Sequence, residues 1–152
     1  MKTLATLAVA ATALTLAASV SAQSFAKPED AIRYRQGAFR VLSAHFGALG
    51  AMANNRVPFD AQAAARHADV IAALAPLPFH AFAAGTERGE NTRARGEIWS
   101  EQAKFRSAAD RMNGEVTKLA AAAKTGNLDN LKNSFGPAAA TCKACHDDFR
   151  RD

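Results

Sequence analysis

Hydrophobic positions along the chain fall into four stretches with helical period. From Pro28 to Ala53, steps of three and four residues pick out Ile32, Arg35, Phe39, Leu42, Phe46, Leu49 and Ala53, a single stripe carrying one charge. Pro28 suits the first helical position, and Glu29 and Asp30 suit the positive end of the helix dipole. Asn54-Asn55 and Pro58 mark a loop. Asp60 is the predicted N-cap of a second helix that carries Ala64, His67, Ile71 and Leu74 and stops before Pro76-Leu77-Pro78. The stretch from Pro76 to about Gly96, rich in proline, glycine and charge, reads as a long connection. A third helix is expected from Ile98 to Lys124, with Phe105, Ala109, Met112, Val116, Leu119 and Ala123 on one face, ended by Gly126-Asn127. The fourth runs from Leu128 to Arg150 and aligns Leu128, Leu131, Phe135, Ala138, Cys142, Cys145 and Phe149. Pro137 removes a backbone donor there. A local kink is expected, not a break, because the stripe resumes in register. No period-two alternation appears, so the expected fold is all-α, an antiparallel four-helix bundle with up-down-up-down topology.

Length and composition narrow this further. At 152 residues the chain makes one ordinary domain. Hydrophobic residues at 49% against 22% charged give it enough apolar mass to fold. Met1-Lys2-Thr3, the apolar run Leu4 to Ala18 and the small residues of Val20-Ser21-Ala22 form a secretory leader, residues 1–22, with cleavage predicted before Gln23. The run is too short and alanine-rich to serve as a membrane anchor. Residues 23–152 are then the domain, exported to an oxidising compartment where free thiols do not normally persist. A formal charge of +5 over the whole chain falls well short of a nucleic-acid footprint. Two cysteines exclude a scaffold of several disulfides and a four-cysteine zinc site.

Those two cysteines stand in Cys142-Lys143-Ala144-Cys145-His146, the Cys-x-x-Cys-His pattern of covalent haem attachment. On a helix, residues three and four apart share one face. Both thiols can therefore reach the vinyl groups along one porphyrin edge, while His146 offers an imidazole nitrogen to the iron as proximal ligand. The alternatives are a plain Cys142–Cys145 disulfide or a thioredoxin-like redox pair. The latter belongs at the start of a helix following a strand, not near the end of a helix in an all-α chain.

The sixth coordination position separates a gas binder from an electron carrier. His146 lies about 9 Å from the C-terminus along its helix, and Arg35 and Phe39 lie about 10 and 16 Å into the first helix, at 1.5 Å per residue. In an antiparallel arrangement these levels coincide. Phe39 has no lone pair, nor have Ile32 or Leu42, which points to five-coordinate iron under a hydrophobic distal face. Arg35 on this stripe needs an anion if buried, and a haem propionate could accept its guanidinium fork; alternatively Arg35 snorkels to solvent from the stripe edge. Met52 and Met112 read as core filler, with Met52 at the far end. His67 is the rival sixth ligand, against a reading as a satisfied buried or interface histidine. His45 and His80 read as surface or loop residues.

The chain resembles the cytochrome c′ family, the class II c-type cytochromes, across essentially all of residues 23–152. The resemblance is carried by Lys27-Pro28-Glu29-Asp30-Ala31-Ile32-Arg33-Tyr34-Arg35-Gln36, His45-Phe46-Gly47, Val57-Pro58-Phe59-Asp60, Glu97-Ile98-Trp99-Ser100 and Cys142 to Arg150. A haem motif near the C-terminus of an all-α chain is the most specific of these marks. The resemblance implies a periplasmic four-helix bundle, a homodimer, with one covalently bound high-spin haem c per chain. It also implies that Arg35 contacts a propionate, that Phe39 covers the distal face and that Arg150 lies beside the proximal pocket. Phe79 and Phe82 match aromatic positions lining the haem in some members, although some relatives carry tryptophan at the position of Phe79. Gln36, beside Arg35, is placed in the same haem pocket.

Three functions compete. The first is capture of small neutral gases, nitric oxide first and carbon monoxide second, since a polar oxygen adduct would gain little without a distal donor. In family members nitric oxide can also displace the histidine and occupy the proximal side, close to the position of Arg150. The second is one-electron exchange with periplasmic redox partners, in its dedicated form requiring a sixth protein ligand and low-spin iron. The third is thiol–disulfide exchange. No phosphate loop, Ser/His/Asp grouping or paired carboxylates suggest an enzyme of another kind.

Overall fold

A computed structural model describes residues 25–151, so the leader read from the sequence lies outside the described residues. Helix α1 spans Pro28–Ala53, with proline in its first turn and Glu29 and Asp30 at its positive end. Helix α2 spans Ala61–Leu74, capped by Asp60, whose carboxylate accepts from Ala63 N at 3.0 Å. A short α3 (Glu97–Ser100), α4 (Gln102–Lys124) and α5 (Leu128–Phe149) complete the set, the last capped by Asn127. Contacts run from α1 to α2, α2 to α4, α4 to α5 and α5 back to α1, closing the expected antiparallel four-helix bundle. Helix α5 continues through Pro137, which is exposed, so the carbonyl deprived of its partner faces water.

Two elements differ from the sequence pattern. The third helix is split at Glu101, whose φ of −117° and ψ of 46° leave the helical region. The reason lies outside the segment. Ile98 packs into an aromatic cluster with Phe105 and Phe149, and Trp99 Nε1 donates to Ala83 O at 3.0 Å, fixing α3 to the connection. That connection is itself partly ordered, with a 3₁₀ helix over Leu77–Ala81.

Leu49, Ile71, Leu119 and Leu131 are essentially fully buried and, with Met52, Ala64 and Ala123, form the main core. Gly50 is part of this packing: a Cβ there would lie 2.6 Å from the Phe135 ring, so the absent side chain makes room for it. Helix α2, at 14 residues, is about 21 Å long, whereas α1, at 26, is about 39 Å. Past the end of α2 three long helices remain, and the 3₁₀ helix and residues 82–96 cover the gap. This is the end that holds the haem motif.

Candidate functional site

Where the bundle opens, α1, α5 and the 82–96 connection enclose a cavity of about 770 Å³, within the ~300–1,000 Å³ range of cofactor sites. All nine residues assigned to the site from sequence line it: Arg35, Gln36, Phe39, Phe79, Phe82, Cys142, Cys145, His146 and Arg150. Ile32, on the same stripe, does not; it is fully buried in the protein. The walls are chiefly aromatic. Phe39 meets Phe79 edge-on at 5.9 Å between ring centroids, Phe82 meets Phe105 at 5.0 Å, and Phe105 meets Phe149 at 5.2 Å. Phe46, stacked on Phe135 at 4.6 Å, separates the cavity from the main core.

Cys142, Cys145 and His146 occupy the last two turns of α5 and all reach this cavity. The cysteines are free, half-buried thiols. Burial raises the pKa of both, that of Cys145 to about 11, with Cys142 and Asp148 adding to the rise. Such thiols are not the activated thiolates of an oxidoreductase, and no strand precedes them among the described residues. Burial and the neighbouring Arg150 lower the pKa of His146, against an opposing effect of Asp147. Its imidazole is therefore neutral at pH 7, the form that offers a lone pair.

Arg35 is 2% exposed, so it does not snorkel to solvent. Its Nη1 donates to Ala81 O at 3.0 Å and Thr86 Oγ1 at 2.8 Å; its Nη2 donates to Thr86 O at 2.7 Å and Thr92 Oγ1 at 3.1 Å. Its guanidinium lies over the Phe82 ring at 4.2 Å. Burial lowers its pKa to about 10, with Glu87 opposing, and leaves it charged at neutral pH. The fork thus holds the connection, and Nε is the guanidinium nitrogen left without a hydrogen bond. Gln36 Nε2 donates to Glu90 O at 2.9 Å, and Arg33 pairs with the Glu90 carboxylate at 2.8 Å, fixing the same loop to α1.

The structure reassigns the histidines. His67 does not line the cavity; its Nδ1 lies 2.8 Å from Nδ1 of His45, across the α1–α2 contact. His45 is accordingly half-buried and paired, not a surface residue. Met52 is buried in the main core, away from the cavity. Met112 does line it, and besides the motif it is the one cavity residue with a customary haem donor. Sequence reading missed Thr86, Thr92 and Glu90, which lie in an irregular loop without periodic signal. Phe105 and Phe149 were on the stripes, and their proximity to the motif follows from antiparallel packing.

Two thiols and a neutral imidazole on one helical face, opening into an aromatic cavity of this size, fit a covalently attached porphyrin. On this ground the protein is a c-type haem protein of the helical-bundle class. The profile of the family described as Cytochrome C′ matches residues 30–150. A cytochrome c′ from Rubrivivax gelatinosus is 44% identical over 126 residues, covering 83% of this chain and 98% of the relative. One from Alcaligenes xylosoxydans xylosoxydans is 42% identical, covering 84% and 98%. The crystal structure of the Rubrivivax gelatinosus protein superimposes with a TM-score of 0.82, at 44% identity, over 84% of this chain and all of that one. A nitric oxide complex of a variant cytochrome c prime from Alcaligenes xylosoxidans superimposes with a TM-score of 0.79, at 42% identity, over 85% of this chain and 99% of that one. The chain belongs to the cytochrome c′ family, whose proteins carry covalently bound haem c.

Proposed function

We propose that the protein is a periplasmic cytochrome c′ whose single haem c has five-coordinate, high-spin iron, and that it captures nitric oxide and, less strongly, carbon monoxide. Cys142 and Cys145 would hold the porphyrin by thioether bonds, and His146 would offer its imidazole nitrogen to the iron. The haem supplies an iron centre that binds small gases and carries one electron. The chain's own residues shape access to it. Phe39, Leu42 and Phe46 line the cavity from α1 and offer no lone pair. Phe39 serves as the distal cover, steadied by Phe79 and Phe82. Arg35 and Gln36 hold the connection over the cavity, and Arg35 Nε would be the donor available to a propionate. Arg150 flanks the proximal side. The apolar α1 wall is the observation that carries this reading. Export rests on the leader sequence. The relatives' nitric oxide complex supports the choice of gas. The same molecule exchanges electrons with periplasmic partners, and it pairs as a homodimer.

Met112 on the cavity wall favours one second reading, a low-spin electron carrier with its thioether as sixth ligand. Absorption spectra of the purified protein decide between them. The expected result is a covalent haem with a high-spin spectrum that shifts when nitric oxide is added to the ferrous form. A low-spin spectrum that turns high-spin in Met112→Leu establishes the second reading, and a ferrous spectrum indifferent to nitric oxide rejects the first. Replacing Cys142 and Cys145 together by serine is expected to leave no haem bound after denaturation.

A further inference from the structure

We propose that a basic groove beside His146 is the docking surface for an acidic protein partner in electron exchange; this rests on haem being attached as above. The groove is a second concavity, of about 660 Å³, that shares Arg93, His146 and Arg150 with the larger cavity. Backbone hydrogen bonds build it by tying the connection to the end of α5: Arg95 N donates to Phe149 O at 3.0 Å and Arg151 N to Arg93 O at 2.8 Å. Arg93, Arg95, Lys143, Arg150 and Arg151 therefore converge on His146 from two segments about fifty residues apart.

Against these five cations stands one carboxylate, Asp147, which Lys143 already engages. Arg95 pairs with Glu97 at 3.6 Å at the margin. Among the described residues no carboxylate lies within ion-pair distance of Arg93, Arg150 or Arg151. The whole chain carries only +5, so the excess of positive charge is concentrated here and is not a general property of the surface. No apolar side chain lines the groove, which leaves nothing to insert into a bilayer. Its breadth exceeds a single small oxyanion. Four of the five cations are arginines, whose planar forks match carboxylates in bidentate geometry. An acidic protein face seated here would lie against His146, the proposed ligand to the iron, and would be steered to it by charge.

Voltammetry of the haem-loaded protein on gold provides the test, with a carboxylate-terminated alkanethiol monolayer standing in for the acidic face. Electron exchange is expected on that monolayer at 10 mM salt and not on an amine-terminated one. It should fade at 1 M, as the screening length falls from about 30 to about 3 Å. Replacing Arg93, Arg95 and Arg151 together by glutamate should slow exchange at least about tenfold, within the range that steering commands, with the absorption spectrum unchanged. Lys132→Glu, near the opposite end of α5, should leave it as it was. The Arg93 side chain makes no hydrogen bond in the structure, so Arg93→Glu alone keeps the fold and should show a partial loss in the same direction. Native exchange rates in the arginine variants, or an equal loss in Lys132→Glu, would overturn the proposal. So would inhibition by phosphate beyond that of chloride at matched ionic strength, which assigns the groove to a small oxyanion, or co-sedimentation with phosphatidylglycerol vesicles, which assigns it to a lipid surface. A native protein lacking the haem absorption band overturns the haem reading, and this inference with it.

Discussion

Around Leu49, Ile71, Leu119 and Leu131 the long helices meet side chain to side chain, whereas toward the end of α5 they part around a cavity of about 770 Å³. The closed region is aliphatic and alanine-rich; the open one is walled by phenylalanines. The difference begins with the short α2. Where α2 is present, four faces cover one another and small residues allow close approach. Where it has ended, an irregular connection must close the fourth side, and it is held by polar bonds to Arg35 and Gln36 in place of apolar interdigitation. The closed region should therefore respond to volume changes and the open one to loss of hydrogen bonds.

The largest effect is expected at Arg35. Arg35→Met takes the guanidinium donors from the buried Ala81 and Thr86 carbonyls, while the Thr86 and Thr92 hydroxyls keep Ala83 O and Ala94 N as partners. The expected cost is about 3–5 kcal/mol, each buried group left unpaired contributing about 1–3 kcal/mol. Thermal unfolding should show the loss, and amide exchange should rise first across residues 82–96. Arg35→Lys should rescue little, because one ammonium cannot span acceptors held by two nitrogens. Next comes truncation in the two regions. Leu131→Ala, at a site with no exposure, should cost about 2–5 kcal/mol. Phe39→Ala in the haem-free protein should cost clearly less, because Phe39 already borders open space. In the haem-loaded protein Phe39→Ala should speed carbon monoxide binding about tenfold if ring displacement accounts for about 1.4 kcal/mol of the barrier, as flash photolysis would show. Equal destabilisation by the two truncations would break the contrast.

Glycines sharpen it on one helix. Gly50→Ala forces a methyl group against Phe135 and should destabilise by about 1–2 kcal/mol, whereas Gly47→Ala meets nothing within 4 Å and should stabilise by up to about 1 kcal/mol. Denaturant midpoints would separate them. The smallest effect is the pH dependence at the His45–His67 contact. Burial, and then the neighbouring His45 and Arg66, lower the pKa of His67 from 6.5. Below about pH 6.5 the unfolded chain takes up a proton that folded His67 resists, so stability falls as the solution is acidified. His67→Gln should flatten that fall in melting curves between pH 7.5 and 5.5.

The helices and the haem motif were legible in the sequence because both are written in local spacing. Apolar periods of three and four, Asp60 before an alanine run and Pro28 ahead of two acids fix α1, α2 and α5 almost to the residue. Cys142, Cys145 and His146 share a face by helical geometry alone. The split at Glu101, the loop acceptors of Arg35 and the His45–His67 pair were not legible in this way. Thr86 and Thr92 lie 51 and 57 residues from Arg35, and His67 lies 22 from His45. Nothing in either stretch of sequence names the other. Periodicity tells a side chain which face of its helix it shares; only the closed bundle decides which distant groups it meets, where α2 runs out and a cavity remains, and which charges gather around it.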